Sequence, residues 1–185
     1  MSEPYRQAKE EELVSTQDRI NWNTNSTKMG WVDYNDLNTS TNPISVIGGL
    51  DFVDITNDGE GAFTNVNYLP SNITSIYNEN TNEFNWTQLK LGDTIDIRLD
   101  LEITTISTNT EIDIYLLMSI GQNPYPTPFV TEKNYKTVGT YNINVLNGIY
   151  MGDLNTFNGP AKFQIKSDKT CTIKVRGWYC KIIRY

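Results

Sequence analysis

Three carboxylates alternate with apolar residues over a short stretch of the sequence: Asp96, Asp100 and Glu102. On an extended strand they share one face, and alternate residues lie about 7 Å apart. That separation is near the one that inverting glycosidases use for their acid and base. Such a pair needs one carboxyl group with a raised pKa in a cleft, whereas Arg98, between Asp96 and Asp100, would keep both ionised. The pattern therefore predicts a solvated strand face and no catalytic pair.

Histidine is absent from the 185 residues. Its absence excludes Ser-His-Asp and Cys-His catalysis, and with them acid–base or metal chemistry that depends on imidazole. A calcium loop can be aligned from Asp54 onward, but its twelfth position is Asn65, where the loop requires a bidentate glutamate. The sequence therefore predicts a polar turn there, no metal or other cofactor, and a protein that is not an enzyme.

The charge of the chain argues against two classes of partner and is unevenly distributed. A net charge of −7 and a pI near 4.6 do not favour nucleic acid. No stretch approaches the 18 or so apolar residues of a membrane span. Residues 162–185 hold seven basic side chains and one acid, whereas residues 91–120 hold six acids and one base. Two interpretations stay open: solvated faces of two strands, or unlike faces that meet between subunits.

The clearest pattern lies after residue 91. From residue 95 to 103 every odd position is apolar and every even position is polar, which predicts a strand with one face in the core. Residues 112–120 alternate with inverted parity, and residues 107–110 are predicted to join the two strands as a hairpin. The further predicted features are a Pro-rich loop (residues 123–128), strands at 141–145, 161–165 and 171–175, turns at Asn147-Gly148 and Asn158-Gly159, a bulge at Gly177 and a last strand at 178–183.

The first half of the chain is richer in turns, and the predicted strands there are shorter: residues 31–34, 45–47, 51–55, 74–77 and 84–86. Eight or more short strands with regular turn signals predict an all-β sandwich or barrel. A helix is predicted within residues 1–20. Cys171 and Cys180 would lie about 30 Å apart on one extended strand, too far for a disulfide, so both are expected to be reduced.

Several landmarks together resemble a known domain. They are Trp31-Val-Asp-Tyr34-Asn-Asp36-Leu37, Phe52 to Gly59, Leu91 to Leu101, Asn147 to Asp153, Phe163 to Ser167, and Gly177-Trp178-Tyr179. The chain from Trp31 to Arg184 thereby resembles the C-terminal TNF-like jelly-roll domain of tailed-phage virion proteins. The resemblance implies an antiparallel jelly roll that assembles as a homotrimer in head fibres, capsid-decoration proteins or tail fibres, and hence location in the virion. The short N-terminus favours a compact knob on the capsid.

Specific residues are predicted for trimer contact, for attachment and for ligand binding. The chain holds more aromatic side chains than one small core needs, so the trimer interface is predicted to include Tyr115, Tyr141, Tyr150, Tyr179 and Tyr185. Residues 1–30 are predicted to be an arm that attaches to the capsid through Tyr5, Leu13 and Val14, and residues 31–185 to be the trimerisation domain. The alternative is a tail-fibre receptor- or carbohydrate-binding module that contacts a host-surface glycan. It would use Tyr125 and Phe129 of the Pro-rich loop, or the turn at Tyr150.

Overall fold

The computed structural model describes residues 28–49, 51–61 and 65–185. The predicted N-terminal helix and the predicted attachment residues Tyr5, Leu13 and Val14 lie outside the described residues. The elements within them are β1 (Met29–Asn35), α1 (Asn38–Thr41), β2 (Ile44–Val46), β3 (Val53–Asp54), β4 (Tyr77–Asn78), β5 (Glu83–Phe84), β6 (Thr94–Thr105), β7 (Thr110–Met118), β8 (Tyr125–Tyr135), β9 (Gly139–Tyr150), α2 (Leu154–Asn158), β10 (Lys162–Ser167) and β11 (Cys171–Ile183). No helix among the described residues is long and apolar enough to cross a membrane.

The strands pair in a nested order that defines a jelly roll. β1 pairs with β11, β3 with β10, β6 with β9 and β7 with β8, all antiparallel. The nested pairs divide between two sheets: the first has the order β1-β11-β6-β9, with β2 also on β11, and the second has the order β3-β10-β7-β8. The predicted all-β antiparallel jelly-roll sandwich is therefore confirmed.

The core lies between the two sheets because each long strand is apolar on one face only. Every second residue of β6 is buried, from Ile95 to Ile103, as the alternation predicts. The centre of the core is aromatic: the ring of Trp178 stacks on that of Phe163 with the centroids 5.1 Å apart, and Phe84 meets both rings edge-on. This packed interior holds the two sheets, and with them the loops and edges at their borders, in place.

The predicted hairpin between β6 and β7 is wrong. The two strands lie in different sheets, and residues 106–109 cross from one sheet to the other. Both strands bury one apolar face, and the inverted parity lets those faces meet across the core. The Thr105 hydroxyl donates to the carbonyls of Thr137 and Gly139, which ties this end of β6 to the chain entering β9.

Two predicted loops are strands. Asn147 and Gly148 do not form a turn but lie inside β9, where they pair with Ile97 and Asp96, because the pairing with β6 continues along the full length of the strand. Most of the Pro-rich segment belongs to β8, an edge strand of the second sheet. An edge strand tolerates proline because the N–H groups on its free side need no partner within the sheet.

The predicted bulge at Gly177 is confirmed by a register shift between Val175 and Gly177 in the pairing of β11 with β6. Before the bulge the odd-numbered residues Cys171 and Val175 point into the core. After it the even-numbered residues Trp178 and Cys180 do, because the shift reverses which positions face inward. Cys171 and Cys180 are both buried and free, and they lie on this single strand, as the predicted extended geometry requires.

The acidic segment (residues 91–120) and the basic segment (residues 162–185) form ion pairs with each other between neighbouring strands of the same chain. Glu102 on β6 pairs with Lys174 at 3.3 Å and with Arg176 at 2.9 Å on β11. Asp113 on β7 similarly pairs with Lys166 on β10 at 3.6 Å. Exposed pairs of this kind contribute at most about 1 kcal/mol each. Of the two interpretations of the charge pattern, the structure supports solvated strand faces.

Candidate functional site

A cleft of about 380 Å³ lies at one end of the sandwich. The start of β8, the end of β9 and the segment leading into α2 converge there and supply its walls. Its lining residues are Met118, Tyr125, Thr127, Gly148, Ile149, Tyr150, Gly152, Asp153 and Thr156. The cleft therefore combines two phenol rings, a carboxylate and two hydroxyl groups.

Tyr150 provides an exposed but supported ring. Its side chain is 72% exposed, and the ring lies so close above Gly152 that a Cβ added there would come within 2.5 Å of the ring Cε2. Any side chain at residue 152 would thus push the ring away. Gly152 lets the backbone support one part of the ring while the rest stays open to solvent.

Tyr125 and Asp153 are held in place by the same threonine. The hydroxyl groups of Tyr125 and Thr156 lie 2.7 Å apart, and the backbone N–H of Thr156 donates to the Asp153 carboxylate at 2.7 Å. The latter hydrogen bond, which caps α2, lowers the pKa of Asp153. The cleft therefore presents a fixed negative charge beside two aromatic rings at neutral pH.

The structure brings together two of the aromatic residues that were proposed for a ligand site, Tyr125 and Tyr150, and separates the third. The ring of Phe129 packs edge-on against Phe163 with the centroids 4.7 Å apart and is partly buried against the core. Sequence reasoning missed Asp153, although the spacing Asp153-x-x-Thr156 before a short helix is a capping signal that could have found it.

A second candidate surface is the free edge of β9. Among the described strands β9 pairs only with β6, and its twelve residues include no charged side chain. Leu146 is 63% exposed, and Tyr141, Ile143 and Val145 are only partly buried and line a groove of about 410 Å³ beside β8. Long uncharged edges are templates for pairing with another chain, so this edge is suited to contact with a partner.

A third surface is the outer face of the first sheet, which is partly aromatic. Trp31 stacks on Tyr68 with the centroids 4.8 Å apart, and Tyr179 lies beside Trp31 at 6.0 Å. The Arg98 guanidinium lies 5.2 Å from the centre of the Tyr179 ring. Trp31 and Tyr68 were missed as surface residues; the alternation of Trp31 with buried Val32 was the available signal for Trp31.

The five tyrosines that were predicted for the trimer interface do not form one patch. Tyr141 and Tyr150 lie on β9, and Tyr179 on the outer face of the first sheet. Tyr185, at the end of the chain, is 92% exposed. Tyr115 lies on the outer face of the second sheet, where it packs edge-on against Phe52 at 5.3 Å. Tyr150 and Tyr179 thus point outward on the same face of the first sheet, whereas Tyr141 is partly buried against the core.

The carboxylates of β6 lie on that outer face of the first sheet, and two of them, Asp100 and Glu102, form ion pairs. Arg98 bonds to Asp100 at 2.9 Å. Hydrogen bonds from Arg176 and Lys174 lower the pKa of Glu102. In the segment compared with a calcium loop, Asp58 accepts backbone N–H groups of Asn38 and Glu60. The described residues contain no group of three or more histidine, cysteine, aspartate or glutamate side chains placed to hold a metal.

No family model matches the sequence, and no curated protein matches it significantly. Among solved structures, infectious bursal disease virus of the Gx strain has a similar chain, with 8% identity, a TM-score of 0.47, and coverage of 84% of this chain and 32% of that one. The Eiger TNF of S. frugiperda is similar with 2% identity, a TM-score of 0.45, and coverage of 85% and 93%. The CBM22-1 xylan-binding domain from Paenibacillus barcinonensis has 6% identity, a TM-score of 0.37, and coverage of 56% and 64%.

This chain thus spans about a third of the length of the viral chain it matches. The three TM-scores are below 0.5 and the identities below 10%, so these likenesses assign no function.

Proposed function

We propose that this chain is a non-enzymatic structural protein of a bacteriophage particle, a homotrimeric head-fibre or capsid-decoration protein attached through its N-terminal segment. The observation that carries the proposal is the long, uncharged edge of β9, which among the described strands pairs only with β6, in a jelly roll whose outer sheet face carries a surface aromatic group. The resemblance of the landmarks between Trp31 and Arg184 to tailed-phage virion domains supports the same function.

The two surfaces complement each other in a ring of copies. The edge of β9, with Leu146 exposed beside it, would pack in the next copy on Trp31 and Tyr68, which lie at the opposite edge of the same sheet. Such a contact joins two different surfaces, so it closes only if the copies form a ring. A ring of three copies would cover the free β9 edge of every copy. Burial of Leu146 alone would contribute about 1.5–3 kcal/mol per contact.

Light scattering on the purified chain tests the trimer. We expect a particle of three 21.1 kDa chains, and a stable monomer at micromolar concentration would refute the proposal. Leu146→Lys should dissociate the trimer because it places a charge in the contact. Leu37→Lys is the matched control: Leu37 is 60% exposed, compared with 63% for Leu146, and lies outside both surfaces, so the trimer should persist.

A truncated chain that starts at Lys28 tests attachment. β1 begins at Met29, and the Lys28 carbonyl accepts the backbone N–H of Arg184 at 2.8 Å, so this start retains the whole first strand. We expect the truncated chain to fold and trimerise but to lose binding to particles that lack the native protein.

The loss would reflect Tyr5, Leu13 and Val14, each of which would contribute about 1.5–3 kcal/mol if buried in the capsid. Three arms would strengthen attachment further through their high effective concentration. Attachment equal to that of the full chain would place the anchor within residues 28–185. A truncated chain that fails to fold would refute the division into arm and domain.

A further inference from the structure

The cleft between Tyr125 and Tyr150 has the composition of a small-ligand site. Its volume of about 380 Å³ falls within the range of 300–1,000 Å³ typical of such sites. It also follows the usual plan of apolar surface with a few fixed polar groups, because Met118 and Ile149 line it together with the two tyrosines and Asp153.

The aromatic wall suits a ring with an apolar face. Tyr150 is 72% exposed, and its ring lies against the backbone of Gly152 at the wall of the cleft. Tyr125, which also lines the cleft, is held by its hydrogen bond to Thr156. A pyranose ring carries C–H groups on one face and hydroxyl groups around its edge, so its C–H face can stack on Tyr150 while its edge remains free for hydrogen bonds.

The polar groups of the cleft select the charge of the ligand. The Asp153 carboxylate accepts hydrogen bonds from hydroxyl groups, and bonds to a charged acceptor are about twice as strong as neutral ones. The hydroxyl of Thr127 adds a neutral donor and acceptor. The described residues that line the cleft include no lysine or arginine, and the chain carries a net charge of −7. A carboxylated or phosphorylated ligand would therefore be repelled.

We propose that this cleft binds an uncharged pyranose unit of a polysaccharide, stacked on Tyr150 and hydrogen-bonded by Asp153. The inference does not rest on the proposed trimer, because the cleft is formed within a single chain. A head protein with such a site would also contact the glycan surface of a cell, in addition to its structural role.

Saturation-transfer NMR with the full-length protein is the test, and the probes are the methyl glycosides of glucose, galactose, N-acetylglucosamine and glucuronic acid at millimolar concentration. We expect saturable binding of at least one of the three uncharged glycosides and weaker binding of the glucuronide. Absence of binding by all three, or preference for the glucuronide, would overturn the proposal.

Variants locate the binding. Tyr150→Ala and Asp153→Asn should each weaken binding roughly tenfold or more, whereas Tyr150→Phe, which keeps the ring, should retain most of it. Tyr185→Ala is the matched control, because Tyr185 is an exposed tyrosine that does not line the cleft. Unchanged binding in Tyr150→Ala would refute the site. Light scattering on each variant separates the two proposals. Loss of the trimer with retained saccharide binding would refute only the trimer proposal.

Discussion

Substitution of Gly177 by alanine tests whether the bulge in β11 depends on glycine. Gly177 pairs with Asn35 on one side and with Asp100 on the other, in the centre of the first sheet. Its φ of +151° lies in a region that is essentially reserved for glycine. A Cβ at this position would also come within 2.2 Å of the carbonyl oxygen of Tyr34. Because that oxygen belongs to the backbone of β1, it can move only if the pairing of β1 with β11 is disturbed.

The two contributions set the expected loss of stability. A side chain in this backbone conformation costs about 1–3 kcal/mol. Relief of the overlap with Tyr34 requires backbone shifts next to Trp178, for which overpacked sites suggest a further 1–3 kcal/mol. We therefore expect Gly177→Ala to lower the free energy of unfolding by about 4 kcal/mol, a large fraction of the stability of an ordinary domain.

Urea denaturation at one fixed protein concentration measures the effect, since the stability of any chain that oligomerises depends on its concentration. Gly121→Ala is the matched control: its φ is +79°, and nothing lies within 4 Å of the added Cβ. The control should lose only about 1–2 kcal/mol, the cost of the left-handed conformation alone. Equal losses in the two variants would refute the clash with Tyr34, and a loss below 1 kcal/mol at Gly177 would refute the bulge geometry.

Two further measurements test the fold at single residues. Reductant should leave the melting temperature unchanged, because Cys171 and Cys180 are free, and burial raises the pKa of both thiols; a drop of many degrees would reveal a disulfide. Arg176→Ala should raise the pKa of Glu102 towards its ordinary value of 4.5 in an NMR titration, because the hydrogen bond from Arg176 is the main cause that lowers it. Since the folded pKa is lowered, the contribution of Glu102 to stability is present above about pH 4.5 and is lost as the pH falls through the folded pKa. An unchanged pKa of Glu102 in the variant would contradict the ion pair between Glu102 and Arg176.

The sequence predicted the elements whose pattern is local. The alternation from Ile95 to Ile103 records burial on one face, which depends only on neighbouring positions, so β6 and its parity were predicted correctly. Strand pairing depends on distant residues. Nothing in residues 107–110 distinguishes a hairpin from a crossing between sheets, and Asn147-Gly148 carries a strong turn signal that the continuous pairing with β6 overrides.

The candidate cleft could be predicted only in part for the same reason. Tyr125 and Tyr150 were each recognisable as aromatic residues near turns, but their proximity follows from the arrangement of β8 and β9 in two different sheets. Phe129 has the same residue class and a similar neighbourhood in the sequence, and yet it points to Phe163 in the core. Register irregularities in β8 decide which of its residues face the interior, and a proline-rich segment gives no indication of them.

The central position of β11 has a consequence for how the chain folds. β11 joins β1, β2 and β6, and the Thr39 hydroxyl in α1 donates to the Val175 carbonyl across 136 positions of sequence. Contacts of such high contact order form slowly, because a long loop must close before they contribute. During synthesis the apolar faces of β1, β2 and β6 must therefore wait for the final strand to emerge from the ribosome. Over that interval the nascent chain exposes strand edges and apolar surface, which favour aggregation.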